Sequence, residues 1–399
     1  MTDITDLDVK GFSSNGCRDE KYGLALIVAD EPVACSVMVT SNKIRAAPLD
    51  ISVENSRERK ARALVVSSGN ANAFTGIKGL KDATRMTEVV ADYIGCDSSE
   101  VLVNSTGIIG QNLDMECIEG LIKSTFEGID SSSNGLFNAS EAMKTTDAFN
   151  KISSKDVSVD NKKVRITGIA KGAGMISPDL MHATMIAVIL TDAHVPTEMI
   201  DTVLKEAVKN SFNMINVDGD VSTNDMVVLL SSGKANNQAV DEAFQEALNN
   251  VCIDLAKMIV KDGEGAGKFM EVFVKGAGSE IDARKTAKAV VNSTLVKTAL
   301  FGENPNWGRV IAAVGYSGAD FDKERLSLTV KNSSSEAVLV NRGVGVALKK
   351  SNEIQTARKI FEGEELTFII DLGIGKHSAT AYGCDLGPNY VKVNAEYTT

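Results

Sequence analysis

The sequence predicts a mixed α/β protein, from the alternation of two hydrophobic patterns. Short apolar runs such as Val164 to Ile169, Met185 to Leu190 and Met226 to Leu230 have the length of buried strands. Longer stretches carry apolar residues at helical spacing, and Ala239 to Val260 is the longest of them. From Leu326 onward, short strand-like segments follow one another, separated by turn-rich or charged stretches.

In chain order, Gly23 to Val28 and Pro32 to Val39 read as two strands of a hairpin, divided by the turn Asp30-Glu31-Pro32. Ala63 to Val66 is a short strand leading into the small polar loop Ser67 to Asn72. Leu80 to Ile94 is helical through Met86, Val89, Val90, Tyr93 and Ile94, and the strand Val101 to Val103 delivers the turn Asn104-Ser105-Thr106-Gly107. Leu113 to Ile129 and Ala139 to Met143 read as helices, and 150–163, rich in Ser, Lys and Asp, as a solvated turn. Pro196 to Phe212 is a helix with proline near its start. Lys268 to Val274 is a strand, Ile281 to Val296 a helix, and 304–309 a tight loop whose Trp307 is a packing anchor. Leu326 to Val330, Ala337 to Val340, Leu366 to Ile370, Ala379 to Tyr382 and Val391 to Asn394 read as strands.

Composition narrows the function classes. The chain has 399 residues, 43% hydrophobic and 24% charged, as in ordinary globular proteins, with a net charge of −11 and scattered Lys and Arg. Nucleic acid and anionic membranes are therefore not expected partners. Residues 1–20 are polar and acidic, unlike a signal peptide, and no apolar run approaches the roughly 18 residues of a membrane span, so a cytoplasmic protein is expected. Six widely spaced cysteines lack a C-x-x-C pair and read as buried free thiols. Lys171-Gly172-Ala173-Gly174 has neither Walker nor dinucleotide spacing. The acidic series Asp218 to Asp225 lacks the EF-hand continuation and reads as a hydrogen-bonded turn bracing its surroundings. No metal or other cofactor is expected.

The stretch Lys171 to Ile186 joins a glycine-broken loop to a buried strand, with Ala183-Thr184 at the junction. A threonine hydroxyl is a weak nucleophile unless a base adjoins it. Its own α-amine, freed by cleavage after Ala183 and with a pKa of roughly 7.7 to 8.0, is such a base. On these residues alone an ordinary strand threonine is the plainer reading. Lys171 to Thr184 resembles the cleavage segment of the glutamate N-acetyltransferase (ornithine acetyltransferase) family of arginine biosynthesis. The likeness continues in order through Gly69 to Ala73, Ser105-Thr106-Gly107, Thr145-Thr146-Asp147, Val217 to Asp220, Ser222 to Asp225, Asp262 to Gly265, Ala299 to Gly302, Pro305 to Arg309, Tyr382 to Leu386 and Asn394 to Thr399. It covers nearly the whole chain.

The resemblance implies an α-β-β-α layered sandwich of the self-cleaving type, with a smaller C-terminal α/β part. It implies cleavage at Ala183-Thr184 into an alpha chain 1–183 and a beta chain 184–399, two of each per molecule. The family transfers acetyl from N2-acetylornithine to glutamate through an acetyl-threonine, and both amino acids are the expected small-molecule substrates. Thr184 would be the nucleophile, Thr106 and Gly107 the oxyanion hole, and Thr145, Lys171, Glu264, Asn394 and Thr399 the substrate contacts. Lys171 suits an α-carboxylate and Glu264 the side-chain ammonium of ornithine; acetyl-CoA stays open as a second donor. Departures from the family pattern are the two extra residues Met181-His182, Met214 in place of a frequent arginine, and Gly387-Pro388 where threonine is common. His182 is either a base assisting cleavage or an exposed, idle imidazole. The rival readings are a self-cleaving amidase or aminopeptidase, which would pass the acyl group to water, and a non-catalytic scaffold.

Overall fold

A computed structural model of the chain describes residues 6–177 and 185–396. The first unit runs β1 (Phe12–Arg18), β2 (Gly23–Val39), α1 (Ala47–Asn55), β3 (Lys60–Asn70), α2 (Gly76–Ile94), β4 (Val101–Ile108), α3 (Met115–Glu127), α4 (Ser133–Met143), β5 (Lys151–Val159), β6 (Lys162–Lys171), β7 (Ile186–Thr191), α5 (Ile200–Asn210), β8 (Ile215–Asn216), β9 (Met226–Ser231) and α6 (Glu242–Lys261). All but β8 of its strands form one sheet, in the order β4-β3-β2-β9-β7-β6-β5, with β1 also paired to β2.

Side chains alternate across this sheet, as the period of two in a strand requires. Ile27, Leu64, Val188 and Val228 share one core, while Leu26 and Val65 face α2 and α3, and Ile189 and Val227 face α5 and α6. The shared core is buried although, among the described helices, only α1 and α4 contribute side chains to it. Each half of the sheet therefore buries one face in this shared core and the other against helices, α2 and α3 or α5 and α6, in keeping with the layered α-β-β-α arrangement the resemblance implied.

The second unit adds β10 (Phe269–Ala277), α7 (Glu280–Asn292), α8 (Thr294–Phe301), α9 (Trp307–Gly315), β11 (Ser327–Lys331), β12 (Glu336–Asn341), β13 (Val344–Gly345), α10 (Asn352–Phe361), β14 (Glu365–Asp371), β15 (His377–Cys384) and α11 (Pro388–Glu396). Its sheet runs β13-β12-β11-β14-β10-β15-β8, with α7 to α10 contributing to the core on one face. Helix α6 lies toward the other face, where Lys257 stands 4.8 Å above the Tyr382 ring. Short β8 joins this sheet from the first unit through Tyr382↔Ile215.

Several local expectations are corrected. The hairpin is one strand, β2, whose register shifts between Val28 and Val33. Asp30, Glu31 and Pro32 are exposed in that bulge, one of the few places a sheet accepts proline. Ser67 to Asn70 and Asn104 to Gly107 are strand ends, parallel neighbours in β3 and β4, rather than loop and turn. The polar stretch 150–163 is the hairpin β5-β6, closed by Asp160 and Asn161 at φ 51° and 58°. The helix read over 281–296 breaks where Ser293 caps α8 by accepting from the Val296 amide.

Trp307 opens a helix instead of ending a loop; its indole N–H donates to the Ala347 carbonyl at 3.1 Å, as an anchor should. Val391 to Asn394, read as a strand from its β-branched residues, lies in α11, with proline as the first helical residue. All six cysteines are free thiols, with Cys35, Cys252 and Cys384 buried and Cys17, Cys96 and Cys117 only partly so. Met214 is buried in the core of the second unit. Among the described residues no helix is long and apolar enough to cross a membrane.

Candidate active site

Strand ends, a helix end and the C-terminal helix meet at one cavity of about 220 Å³. Thr106, Gly107, Thr145, Lys171, Glu264 and Asn394 all line it. They come from five places in the chain: the end of β4, the segment after α4, the last residue of β6, the loop beyond α6, and α11. Ala183, Thr184 and Thr399, and His182 with them, lie outside the described residues.

The Thr106-Gly107 pair is set by the parallel register Ser68↔Thr106 and Gly69↔Gly107. Gly107 has φ 128°, and a Cβ there would fall 2.2 Å from the Gly69 carbonyl oxygen, so only glycine allows the strand ends to approach this closely. Asn224 locks the same corner: its amide donates to the Ala71 carbonyl at 2.6 Å and to the Ser105 carbonyl at 2.7 Å. The sequence reading gave Asn224 no role beyond the bracing turn, because its partners lie far away in the chain.

Lys171 is 5% exposed, and its ammonium donates to Thr145 Oγ1 at 2.9 Å and Thr106 Oγ1 at 3.3 Å. Burial pushes its pKa down, and the nearby Asp147 carboxylate opposes that. Asp147 is itself buried, which alone would raise its pKa. The Lys171 and Lys151 ammoniums and the Gly172 amide outweigh burial and hold the carboxyl well below the usual carboxylate range. Lys151 bridges Asp147 at 2.6 Å and Asp262 at 2.5 Å. Asp147 and Asp262 lay within quoted motifs without a role, and Lys151 sat in what read as a solvated turn. A buried ion network leaves no local periodic signal, so these residues were missed.

On the opposite side, Glu264 accepts from Asn394 Nδ2 at 2.9 Å, and its own amide donates to the Ala173 carbonyl at 2.9 Å. Gly265, at φ +71°, receives α11 so closely that a Cβ would lie 2.4 Å from the Tyr390 nitrogen. The acidic turn does brace the site: Asp218 accepts from the Met175 amide at 2.6 Å and the Ile176 amide at 2.9 Å, holding Met175 at φ 56°. Burial pushes the Asp218 carboxyl up against those amides.

A larger surface groove of about 620 Å³ includes Lys257, Lys261, Glu271 and Glu365. Lys257 is paired with Glu271 at 3.2 Å and Lys261 with Glu365 at 2.5 Å, and none of the expected site residues reaches it. The smaller cavity is the one equipped for chemistry. It combines hydroxyl donors, a buried cation and a carboxylate, the set needed to hold a zwitterionic amino acid while charge develops on an acyl oxygen.

Residues 10–399 match the ArgJ family. The chain is 46% identical over 393 residues to the glutamate N-acetyltransferase of Methanocaldococcus jannaschii, covering 98% of this chain and 97% of the relative. It is 42% identical to the arginine biosynthesis bifunctional protein ArgJ of Caldanaerobacter subterraneus, with 98% and 97% covered. Among solved structures, an ArgJ of Bacillus halodurans aligns at 37% identity and a TM-score of 0.48, over 52% of this chain and 96% of that one. The Mycobacterium tuberculosis ornithine acetyltransferase complexed with ornithine aligns at 27% identity and a TM-score of 0.38, over 43% and 93%.

Proposed function

The chain belongs to the ArgJ family, and from that premise we propose that it moves the acetyl group of N2-acetylornithine to glutamate through an ester on Thr184. The observation that carries this reading is the meeting of Thr106, Gly107, Thr145, Lys171, Glu264 and Asn394 in one cavity. Beside that cavity, β7 starts immediately after Met185, whose carbonyl accepts from the Met226 amide at 2.9 Å. Position 184 is one peptide bond upstream.

In the precursor the Thr184 hydroxyl attacks the Ala183 carbonyl, the acyl group shifts from nitrogen to oxygen and so frees the Thr184 amine, and water then hydrolyses the ester to release the Ala183 carboxylate and restore the Thr184 hydroxyl. Strands β6 and β7 pair along Ile166–Lys171 and Ile186–Thr191, so a cut between them leaves the ladder intact and the two chains associated. In the mature enzyme the amine takes the hydroxyl proton while the oxygen attacks the acetyl carbonyl. The Thr106 hydroxyl and Gly107 amide hold the oxyanion, and collapse expels ornithine, whose α-amine leaves with the proton. Glutamate's α-amine then attacks the acetyl ester, giving N-acetylglutamate and restoring the threonine.

In this reading Lys171 and Thr145 hold the substrate α-carboxylate, Glu264 and Asn394 hold the ornithine side-chain end, and Thr399 completes the contact set. The enzyme contains two copies of each chain and works in the cytoplasm. Intact mass and N-terminal sequencing test the proposal. The expected result is two polypeptides, the second starting at Thr184 and gaining one acetyl group when mixed with N-acetylornithine alone. Active protein consisting of one unbroken chain, or complete cleavage in Thr184→Ala, would overturn it. The same labelling with acetyl-CoA decides whether that donor is accepted.

A further inference from the structure

Behind Lys171 lies a row of buried charges to which the acyl-transfer cycle assigns no task. Lys171 Nζ is 3.9 Å from Asp147 Oδ2, Asp147 Oδ1 accepts from Lys151 Nζ at 2.6 Å, and Asp262 Oδ2 accepts from the same ammonium at 2.5 Å. The side chains of Asp147 and Lys151 are 0% exposed and that of Asp262 is 5% exposed. The series Asp262, Lys151, Asp147, Lys171 alternates in sign and sums to zero. Four charges withdrawn from water are costly to bury and survive only if each has partners.

The acidic members also fix backbone. Asp147 accepts from the Thr145 amide at 3.1 Å and the Gly172 amide at 2.6 Å, and Asp262 from the Ala148 amide at 3.0 Å. One carboxylate thus ties together the two segments that carry Thr145 and Lys171. The other joins the end of α6, two positions before Glu264, to the same segment.

An ammonium group only donates. The two hydroxyls that accept from Lys171, Thr145 Oγ1 and Thr106 Oγ1, therefore keep their own protons for another acceptor. With the ammonium held beneath them, that acceptor is whatever occupies the cavity.

We propose that Asp147, backed by Lys151 and Asp262, is a positioning residue of the acyl-transfer site, holding the Lys171 ammonium against Thr106 and Thr145 so that both hydroxyls donate into the cavity. Its kinetic consequence rests on the acetyltransferase reading; its electrostatic consequence does not. The charged groups around Lys171 are Asp147 and Lys151 on the buried side, Glu264 across the cavity, and Asp225 at the start of the segment leading into β9. Burial favours the neutral amine, and Asp147 is the largest influence against it. Removing the Asp147 charge should let Lys171 lose its proton at lower pH. Removing the Lys151 charge should make it keep the proton to higher pH, with Asp262 protonating to stay neutral.

The test uses full-length protein carrying ¹³C at lysine Cε, with the Lys171 signal assigned through Lys171→Arg, titrated from about pH 6 to about pH 10. The Lys171 midpoint should fall by about one pH unit in Asp147→Asn and rise in Lys151→Met. The alkaline limb of kcat/KM should move the same way in each, with kcat in Asp147→Asn down roughly tenfold at pH 8. A purely structural role would not give opposite signs in the two variants. Midpoints that stay put, or move together, overturn the proposal. If Asp147→Asn does not fold, Lys151→Met decides by its sign alone, an unchanged or lowered midpoint being the refuting result. Wild type that transfers no acetyl group refutes the acetyltransferase reading, and the titration still decides this one.

Discussion

The Glu264 carboxylate fills the space that a side chain on Gly174 would need: a Cβ at Gly174 would lie 2.3 Å from Glu264 Oε2. The acid reaches the cavity because the loop beyond β6 carries hydrogen where any other residue carries carbon.

Gly174→Ala should therefore push Glu264 away from the substrate. The KM for N-acetylornithine is expected to rise about tenfold, equivalent to about 1.4 kcal/mol, with a smaller change for glutamate, which has no side-chain ammonium to lose a partner. Steady-state kinetics on both substrates check this, and an unchanged N-acetylornithine KM would remove Glu264 from its role.

Thr106→Val keeps the shape of a buried residue and deletes one donor. The expected result is a fall in kcat of about 10²-fold, with an unfolding free energy changed by only about 1 kcal/mol. Paired kinetic and denaturant measurements separate the two quantities. A comparable loss of stability and activity would make Thr106 a structural hydroxyl.

Asp147 makes a prediction about acid stability whose sign follows from its environment. Burial would raise its pKa, but the lysines and the Gly172 amide lower it below the unfolded value of about 3.9. The folded state then binds fewer protons than the unfolded one near that pH. Its contribution is full above that value and is lost as pH falls through the folded pKa. Asp147→Asn should cost about 3 to 5 kcal/mol at pH 7, and the gap to wild type should narrow by about 1 kcal/mol near pH 3. Urea titrations at the two pH values measure it, and a gap that widens in acid contradicts the assignment.

Gly387 is a departure from the family pattern that the structure explains. A Cβ there would sit 2.3 Å from the Phe301 ring, so α11 leaves the second unit by passing directly over that ring. Gly387→Thr should destabilise by about 1 to 3 kcal/mol, and adding Phe301→Ala should recover part of the loss. Thermal melts of the single and double variants decide it. No recovery would mean that another contact sets the path of α11.

Much of this molecule was legible before its structure. The long helix α6, the buried strands β7 and β9, and six residues that line the cavity were all named, the strands and helix from periodicity and the cavity residues from the resemblance to the family. Errors gathered where a local signal met a stronger non-local one. Asp30-Glu31-Pro32 is a good turn sequence, yet pairing with β3 on one side and with β1 and β9 on the other carries β2 straight through it as a bulge. The polar run 150–163 looked solvated because β5 is an edge strand with Lys155 and Asp156 facing water, while Lys151 at its start is completely buried. Val391 and Val393 favour strands, but both are exposed in α11, where no sheet is available to receive them.

By itself the sequence determined which chemical groups are present, the family they resemble, and the periodic elements that bury their own apolar faces, because these depend on residue identity and short spacing. Only the tertiary structure decided that Asp147, Lys151 and Asp262 stand in one row behind Lys171, and that Glu264 reaches past Gly174 to meet Asn394. The decisive links are long-range, from Lys151 to Asp262 and from Glu264 to Asn394, each more than a hundred positions apart. Their strength comes from the exclusion of water, and a chain acquires that environment only once its layers have closed.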